Sequence, residues 1–207
     1  VYMYFNDAFS ITNTLLDTPV YQINNPIRAL YCDEEQTLWI GTKGGGIVRI
    51  NNYSSDKEPL TSFNRISAAN STLTDNAVYC FAPGATGKLW IGTENGINYY
   101  SYQSKQLKEF PVVADNKKVK YVHSINELND TTLWVSTVGE GIVKVILNNT
   151  GSSPVVKSAT RIVLDKGRMA SNYFFTSFQE SDSILWFGNR GYGAYRLNVE
   201  TGEMTPY

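Results

Sequence analysis

Leu38-Trp39-Ile40-Gly41-Thr42 returns as Leu89-Trp90-Ile91-Gly92-Thr93. It comes back as Leu133-Trp134-Val135-Ser136-Thr137 and again as Leu185-Trp186-Phe187-Gly188-Asn189. The chain has four tryptophans, Trp39, Trp90, Trp134 and Trp186, and all sit in this motif. Their spacing is about 44 to 52 residues, a period that marks a repeat architecture of stacked or radial units. Each motif lies between two further apolar segments. Ile27-Arg28-Ala29-Leu30, Val78-Tyr79-Cys80-Phe81, Val122-His123-Ser124-Ile125 and Phe175-Thr176-Ser177-Phe178 precede it as strand A, and the motif itself is strand B. The pattern of strand A is large, variable, small, large. Small residues at its third position suit strands that converge near an axis.

A glycine-containing turn follows each motif, as in Lys43-Gly44-Gly45-Gly46 and Arg190-Gly191-Tyr192-Gly193. Such turns need the positive φ that glycine adopts without strain. Strand C then reads Ile47 to Ile50, Ile97 to Tyr100, Ile142 to Val145 and Ala194 to Leu197. Strand D is less regular, at about Thr61 to Ile66, Leu107 to Phe110, Thr160 to Leu164 and Met204 to Tyr207. Four antiparallel strands per period predict an all-β chain, a β-propeller of about four blades. Helical spacing at 3.6 is absent, and an immunoglobulin-like sandwich would not repeat its tryptophan four times. The blades are expected at 22–69, 70–115, 116–166 and 167–207. Residues 1–21 (Val1 to Phe5 and Phe9 to Leu15) read as the C and D strands of a preceding blade. The chain is thus expected to be an arc of a larger propeller, with a closed four-bladed ring as the alternative.

Composition agrees. Of 207 residues, 42% are hydrophobic, 18% are charged and 13% are aromatic, enough to bury a core and rich in β formers. A net charge of −1 argues against nucleic acid or acidic membranes as partners. The cluster Lys117, Lys118 and Lys120 reads as a solvated loop. No apolar run approaches the roughly 20 residues that span a bilayer, so direct membrane insertion of this segment is not expected. Cys32 and Cys80 fall in different registers of their repeats and fit no zinc pattern. No metal or other cofactor is implied.

The repeats resemble the two-component regulator propeller repeat, found in the periplasmic sensor region of hybrid two-component systems of Bacteroides-type bacteria. The Trp39 and Trp90 blades carry the likeness, with the linker Asn70 to Val78. Ser136, Asn189 and the pair Lys120-Tyr121 depart from the pattern. The resemblance implies a periplasmic sensor that is not itself an enzyme, within a parent histidine kinase. Its propellers are seven-bladed, and dimerisation carries its signal. The partners implied are an oligosaccharide, neighbouring blades or a second protomer.

Antiparallel connectivity alone places the D–A links and B–C turns at one end of every blade. That face holds Asn24, Asn25, Asp75, Asn76, Lys120, Tyr121, Asn172 and Tyr173, with Lys43, Glu94, Asn95, Glu140 and Arg190. Amides, a fork-shaped guanidinium and aromatic platforms suit sugar hydroxyls and uronate carboxylates. Arg28, Tyr79, His123 and Thr176, second in their strands, are candidates for a channel-lining ring. Binding residues are best sought where blades differ, which adds Tyr192. The candidate ligand-binding set is Arg28, Asp75, Asn76, Tyr79, Tyr121, His123, Tyr173, Arg190 and Tyr192, with no catalytic residue. Each of these also has a plain structural reading, as turn former or interblade packing. The tryptophans are read as packing residues, and the opposite face, with Asp33, Glu34 and Glu35, as solvated turns. The leading function is a ligand-sensing module. The alternatives are an interaction scaffold or a propeller lyase, which would need a base near a carbonyl-activated proton.

Overall fold

Each Leu-Trp motif forms the second strand of a four-stranded antiparallel sheet in the computed structural model, which describes residues 25–51, 63–85, 87–148, 153–164 and 171–207. Blade 1 comprises β1 (Ile27–Cys32), β2 (Thr37–Thr42), β3 (Ile47–Asn51) and β4 (Phe63–Ile66). Blade 2 comprises β5 (Val78–Gly84), β6 (Lys88–Thr93), β7 (Gly96–Ser101) and β8 (Gln106–Phe110). A short hairpin follows, β9 (Val113–Ala114) and β10 (Lys117–Lys118). Blade 3 comprises β11 (Val122–Leu128), β12 (Thr132–Thr137), β13 (Ile142–Asn148) and β14 (Val155–Ile162). Blade 4 comprises β15 (Phe174–Gln179), β16 (Ile184–Asn189), β17 (Ala194–Asn198) and β18 (Met204–Pro206). The first strands pack in order, β1 on β5, β5 on β11 and β11 on β15, so they lie innermost. The chain is an all-β propeller arrangement. The strands read from residues 1–21 lie outside the described residues.

Every position of the motif has a separate job, because alternate residues of a strand face opposite sides. In blades 2, 3 and 4 the leading leucines, Leu89, Leu133 and Leu185, are fully buried on one side. The tryptophan faces the other side and reaches the next blade. Trp39 meets Tyr100 edge-on at 4.9 Å and Phe81 at 6.2 Å. Arg49 stacks over the same indole, its guanidinium carbon 4.4 Å from the ring centre. Trp134 faces Phe187 at 6.3 Å. The threonine closes the B–C turn: Thr42, Thr93 and Thr137 each donate a side-chain hydrogen bond to the carbonyl of Gly46, Gly96 and Gly141. In blade 4 Asn189 takes this place and donates instead to the Ser171 carbonyl at 2.6 Å.

The core is therefore split into three seams. One cluster joins blades 1 and 2 around Trp39, Val78 and Tyr100. A second joins blades 2 and 3 around Trp90, Val122 and Leu133. The third joins blades 3 and 4 around Trp134, Phe174 and Leu185. Trp186 breaks the equivalence expected of the four: it is only half-buried and meets its own blade's Tyr207 at 5.0 Å. No described blade follows it.

Buried indole N–H groups call for an acceptor; blades 1, 2 and 4 supply one in different ways, whereas Trp134 Nε1 of blade 3 is buried without a partner. Asp33, just after β1, accepts from Trp39 Nε1 at 2.7 Å, from the Thr37 amide at 2.8 Å and from the Tyr102 hydroxyl at 3.0 Å. It is buried, so the solvated-turn reading fails for Asp33: its three donors offset the cost of taking the carboxylate out of water. Glu180 holds the same place in blade 4 and accepts from Trp186 Nε1 at 2.5 Å. Blade 2 has Gly84 there, and the neighbouring blade supplies the acid. Glu127 of β11 accepts from Trp90 Nε1 at 2.6 Å and from the Ala85 amide at 3.0 Å. A side chain at residue 84 would collide with that pair, its Cβ falling 2.7 Å from Glu127 Oε2.

Burial raises the Glu127 carboxyl above its ordinary 4.5, against the lowering pull of Trp90 and Ala85. A raised folded-state value means that the unfolded chain loses its proton first. The contribution of this group is thus greatest below about pH 4.5 and is lost as pH rises through the folded-state value. The Glu127→Gln variant should lack this loss. Denaturant midpoints of the two proteins, compared from acid to neutral pH, are expected to shift in favour of the variant. Parallel curves would show that Glu127 does not titrate in this way.

Two further departures from the sequence reading concern strands. Strand D of blade 3 begins at Val155 rather than Thr160, because β13 extends to Asn148 and pairs with it down to Val155, with one register shift between Ile146 and Leu147. The Lys117-Lys118 stretch belongs to a hairpin rather than a loop. Asp115 and Asn116 at its tip both have positive φ, 52° and 60°, as a two-residue hairpin turn requires. Its flanking Val112, Ala114 and Val119 are buried in the seam between blades 2 and 3.

Candidate functional site

All four innermost strands carry an irregularity at one place. Pairing skips between Ile27 and Ala29, Val78 and Cys80, Val122 and Ser124, and Phe174 and Thr176. One residue per blade is left out of the ladder as a β-bulge, a device that re-aims a side chain. The bulged residues are Arg28, Tyr79, His123 and Phe175. The sequence alignment placed Thr176 in this set. It was one residue out in blade 4, because Thr176 pairs opposite Gly188 as Ala29 pairs opposite Gly41. The small third position of that blade is therefore Thr176, not Ser177.

The bulged side chains meet across the blades. The rings of Tyr79 and His123 stack at 4.2 Å, 16° from parallel. Phe175 meets His123 edge-on at 5.1 Å. The Tyr79 hydroxyl donates to Glu94 Oε2 at 2.9 Å, tying the ladder to the B–C turn of blade 2. Burial, followed by that hydrogen bond, pushes the Tyr79 phenol up to about 12, and Asp75 acts in the same direction while Arg28 opposes it. Burial also lowers the His123 imidazole below 6.5, the Arg28 charge adding to the effect and Glu94 opposing it. Arg28, Asp75, Tyr79, Glu94 and His123 therefore share one electrostatic neighbourhood. It lies at the start of strand A, the end where the D–A links and B–C turns meet.

The same face is knitted together by backbone. The carbonyl of Asn76 accepts from the Gly44 and Gly46 amides of blade 1. The carbonyl of Asn172 accepts from Gly139 and Gly141 of blade 3. Their side chains repeat the parallel: Asn76 Oδ1 accepts from the Ala68 amide and Asn172 Oδ1 from that of Leu164. Asn76 is thus a latch between blades. Asp75 Oδ1 accepts from the Ala77 amide at 2.8 Å, an Asx turn into strand A. Tyr121 and Tyr173 occupy equivalent places, and their carbonyls accept from Val138 and Arg190. Both rings are exposed, at 42% and 44%. Tyr121 holds φ at 52°, where a bulky residue is strained. Arg190 and Tyr192 sit in the exposed B–C turn of blade 4, and among the described residues no ring contact or ion pair joins them to the ladder.

A cavity of about 270 Å³ opens on the opposite face, between blades 1 and 2, lined by Tyr31, Glu34, Glu35, Lys88 and Tyr102 among others. Sequence reasoning passed over it. Glu35 is already paired with Lys105 at 2.6 Å. Among the described residues no group of histidine, cysteine, aspartate or glutamate is placed to hold a metal ion.

Two stretches of the chain, residues 21–44 and 72–95, match the two-component regulator propeller family. Each runs through strand A and the Leu-Trp motif. Over 126 residues, 60% of this chain, the sequence is 29% identical to histidine kinase P4 of Formosa agariphila, of which the match covers 9%. The fold is similar to an extracellular domain of a hybrid two-component system from B. thetaiotaomicron, with a TM-score of 0.71 at 19% identity. That likeness covers 88% of this chain and 25% of the solved one. Virginiamycin B lyase from Staphylococcus aureus shares the fold as well, with a TM-score of 0.63 at 16% identity over 89% of this chain and 56% of the lyase. At these identities the solved structures speak for the fold alone. The chain spans a quarter of that solved extracellular domain and less than a tenth of the kinase. With the motif, the blades and the family match in agreement, the chain carries repeats of the two-component regulator propeller family, built into blades 1 and 2 of its propeller fold.

Proposed function

We propose that this propeller is the ligand-sensing extracytoplasmic module of a hybrid two-component sensor, periplasmic in place and responsive to a glycan fragment. The observation that supports it most is the ladder of Arg28, Tyr79, His123 and Phe175. The stacked Tyr79–His123 pair, with Phe175 edge-on to it, forms an aromatic wall against which a sugar ring can pack, and Arg28 beside it can pair with a uronate carboxylate in two hydrogen bonds. Tyr121 and Tyr173 extend the apolar surface at the same end. With His123 held neutral, Arg28 is the cation of the ladder. Binding would shift signalling only through unequal affinity for two states of the sensor, and association of two protomers is the natural second state.

Calorimetry against matched neutral and uronate-containing oligosaccharides tests this. The acidic members are expected to bind, and Arg28→Ala to weaken them about tenfold or more, as loss of a charge-assisted contact does. His123→Ala should weaken neutral and acidic sugars alike, since it removes aromatic wall rather than charge. Heat from no member of the panel would refute the reading and leave the interaction scaffold as the better account.

A further inference from the structure

The cavity between blades 1 and 2 lies on the face of the A–B and C–D turns, away from the aromatic ladder. Blade 2 contributes Pro83, Gly84 and Gly87 of its A–B turn, two of them without side chains, and space remains there for that reason. Gly87 holds φ at 68°, which a side chain would strain, so the turn stays bare. Tyr102, in the C–D turn of the same blade, makes a fixed wall. Its ring meets Tyr100 edge-on at 5.3 Å and its hydroxyl donates to Asp33 at 3.0 Å. Blade 1 supplies Tyr31, cross-strand from Trp39 and packed on the same seam. The charges are uneven: Asp33, Glu34 and Glu35 line the cavity against one ammonium, that of Lys88. Asp33 is engaged by three donors and Glu35 by Lys105. Among the described residues, neither Glu34 nor the Tyr31 hydroxyl has a hydrogen-bond or ion-pair partner. Burial, then the charges of Asp33 and Glu34, raises the Tyr31 phenol above its ordinary value, so it keeps its proton and can donate. The rim shows which ions such groups hold. Lys105 Nζ lies over the Tyr102 ring, 5.8 Å from its centre, and 2.6 Å from Glu35.

We propose that this cavity is a second ligand site, for a primary ammonium carried on a small ring, the class of a hexosamine with a free amine. Glu34 pairs with the ammonium and a tyrosine ring beside it adds cation–π attraction, as Glu35 and Tyr102 do for Lys105. The tyrosine rings give the apolar side of a pyranose a surface, and the Tyr31 hydroxyl meets a sugar hydroxyl. At about 270 Å³ the space falls just below the roughly 300 Å³ at which small-molecule pockets begin, so it admits one sugar unit rather than a chain. A neutral or N-acetylated sugar leaves Glu34 without a charge partner, and a uronate would face three carboxylates. The site therefore selects the charge opposite to the one that Arg28 selects on the other face.

Amide NMR shifts of the 207-residue chain, titrated with glucosamine, glucose and N-acetylglucosamine, read this directly. Glucosamine is expected to move the signals of Gly84, Gly87 and Lys88 and to leave those of Tyr79 and His123 in place. It should bind roughly fivefold or more tighter than either neutral sugar, the combined effect of an exposed ion pair and a cation–π contact. Glu34→Gln should bring glucosamine down to the level of glucose. Glu34 is exposed in a turn, so the change leaves the fold intact, which the rest of the spectrum reports. Glu200→Gln removes an equally exposed acid from blade 4 and should alter nothing. No shift at the cavity, equal affinity for glucosamine and glucose, unaltered glucosamine binding to Glu34→Gln, or an equal loss in Glu200→Gln would each overturn the proposal. Arg28 takes no part in this site, so the result stands apart from the sensing proposal.

Discussion

Replacing Asn98 with leucine is expected to destabilise the protein by about 3–5 kcal/mol, the range of a broken buried polar network. Asn98 lies in the middle of β7 and is fully buried. Its Oδ1 accepts from the Thr74 amide at 3.0 Å and from the Thr74 hydroxyl at 2.7 Å. Its Nδ2 donates to the carbonyls of Thr72 at 2.8 Å and Lys108 at 3.2 Å. All four valences of one amide are used, and the pattern of donors and acceptors fixes which way it points. Leucine has a similar volume and meets none of these groups. Two donors and two carbonyls would then be left buried or forced to reach water by releasing the link at residues 72–74. That link carries Leu73 into the seam and sets the path to Asp75 and Asn76. Loss should therefore appear twice, as a lower denaturant midpoint and as faster amide exchange at Thr74 and Ala77. A change under about 1 kcal/mol would mean that the link holds itself in place.

Gly92→Ala should cost about 3 kcal/mol, at the upper end of overpacking effects. A Cβ on Gly92 would lie 2.5 Å from Cys80 Sγ and 2.7 Å from both Val122 Cγ1 and the Val122 carbonyl oxygen. A sulfur can rotate away, but the carbonyl belongs to the backbone of the next blade. The seam between blades 2 and 3 must open to admit one methyl group. Gly188 offers an internal control. It holds the same place in blade 4, where the close contact is the Thr176 side chain of its own blade at 2.6 Å. Gly188→Ala is therefore expected to cost far less. Equal losses at the two sites would remove the explanation from the seam and return it to the strand itself. Blade 3 carries Ser136 at this place, fully buried, and its hydroxyl has no partner.

Much of the fold could be read in the chain because a propeller blade is a local object. Antiparallel strands joined by short turns place their hydrogen bonds between residues close in sequence, so period, strand order and the face of each turn follow from patterning. Asn98 was legible in outline too: a polar residue stands where Val48, Val143 and Tyr195 occupy the matching places. Its partners were not, since they lie about 10 to 26 residues away across a link without periodicity. The hairpin at Asp115-Asn116 was missed because its strands are two residues each, too short to show alternation.

The site divided along the same line. Arg28, Tyr79 and His123 were marked by position, but the bulge that ejects them from the ladder has no signature of its own. In blade 4 the missing sign led to Thr176 in place of Phe175. Asp33 and Glu127 look like turn and surface acids in the sequence. Only the packed structure shows that one serves its own blade's indole and the other its neighbour's. The four Leu-Trp motifs thus determined blade, strand order and facing by themselves, because these depend on short-range alternation and turn chemistry. Tertiary structure alone decided which acid meets which tryptophan and which residues stack on one another at the start of the innermost strands. Those outcomes depend on contacts between blades some 50 residues apart, whose free energy is set by shape and desolvation rather than by any local pattern.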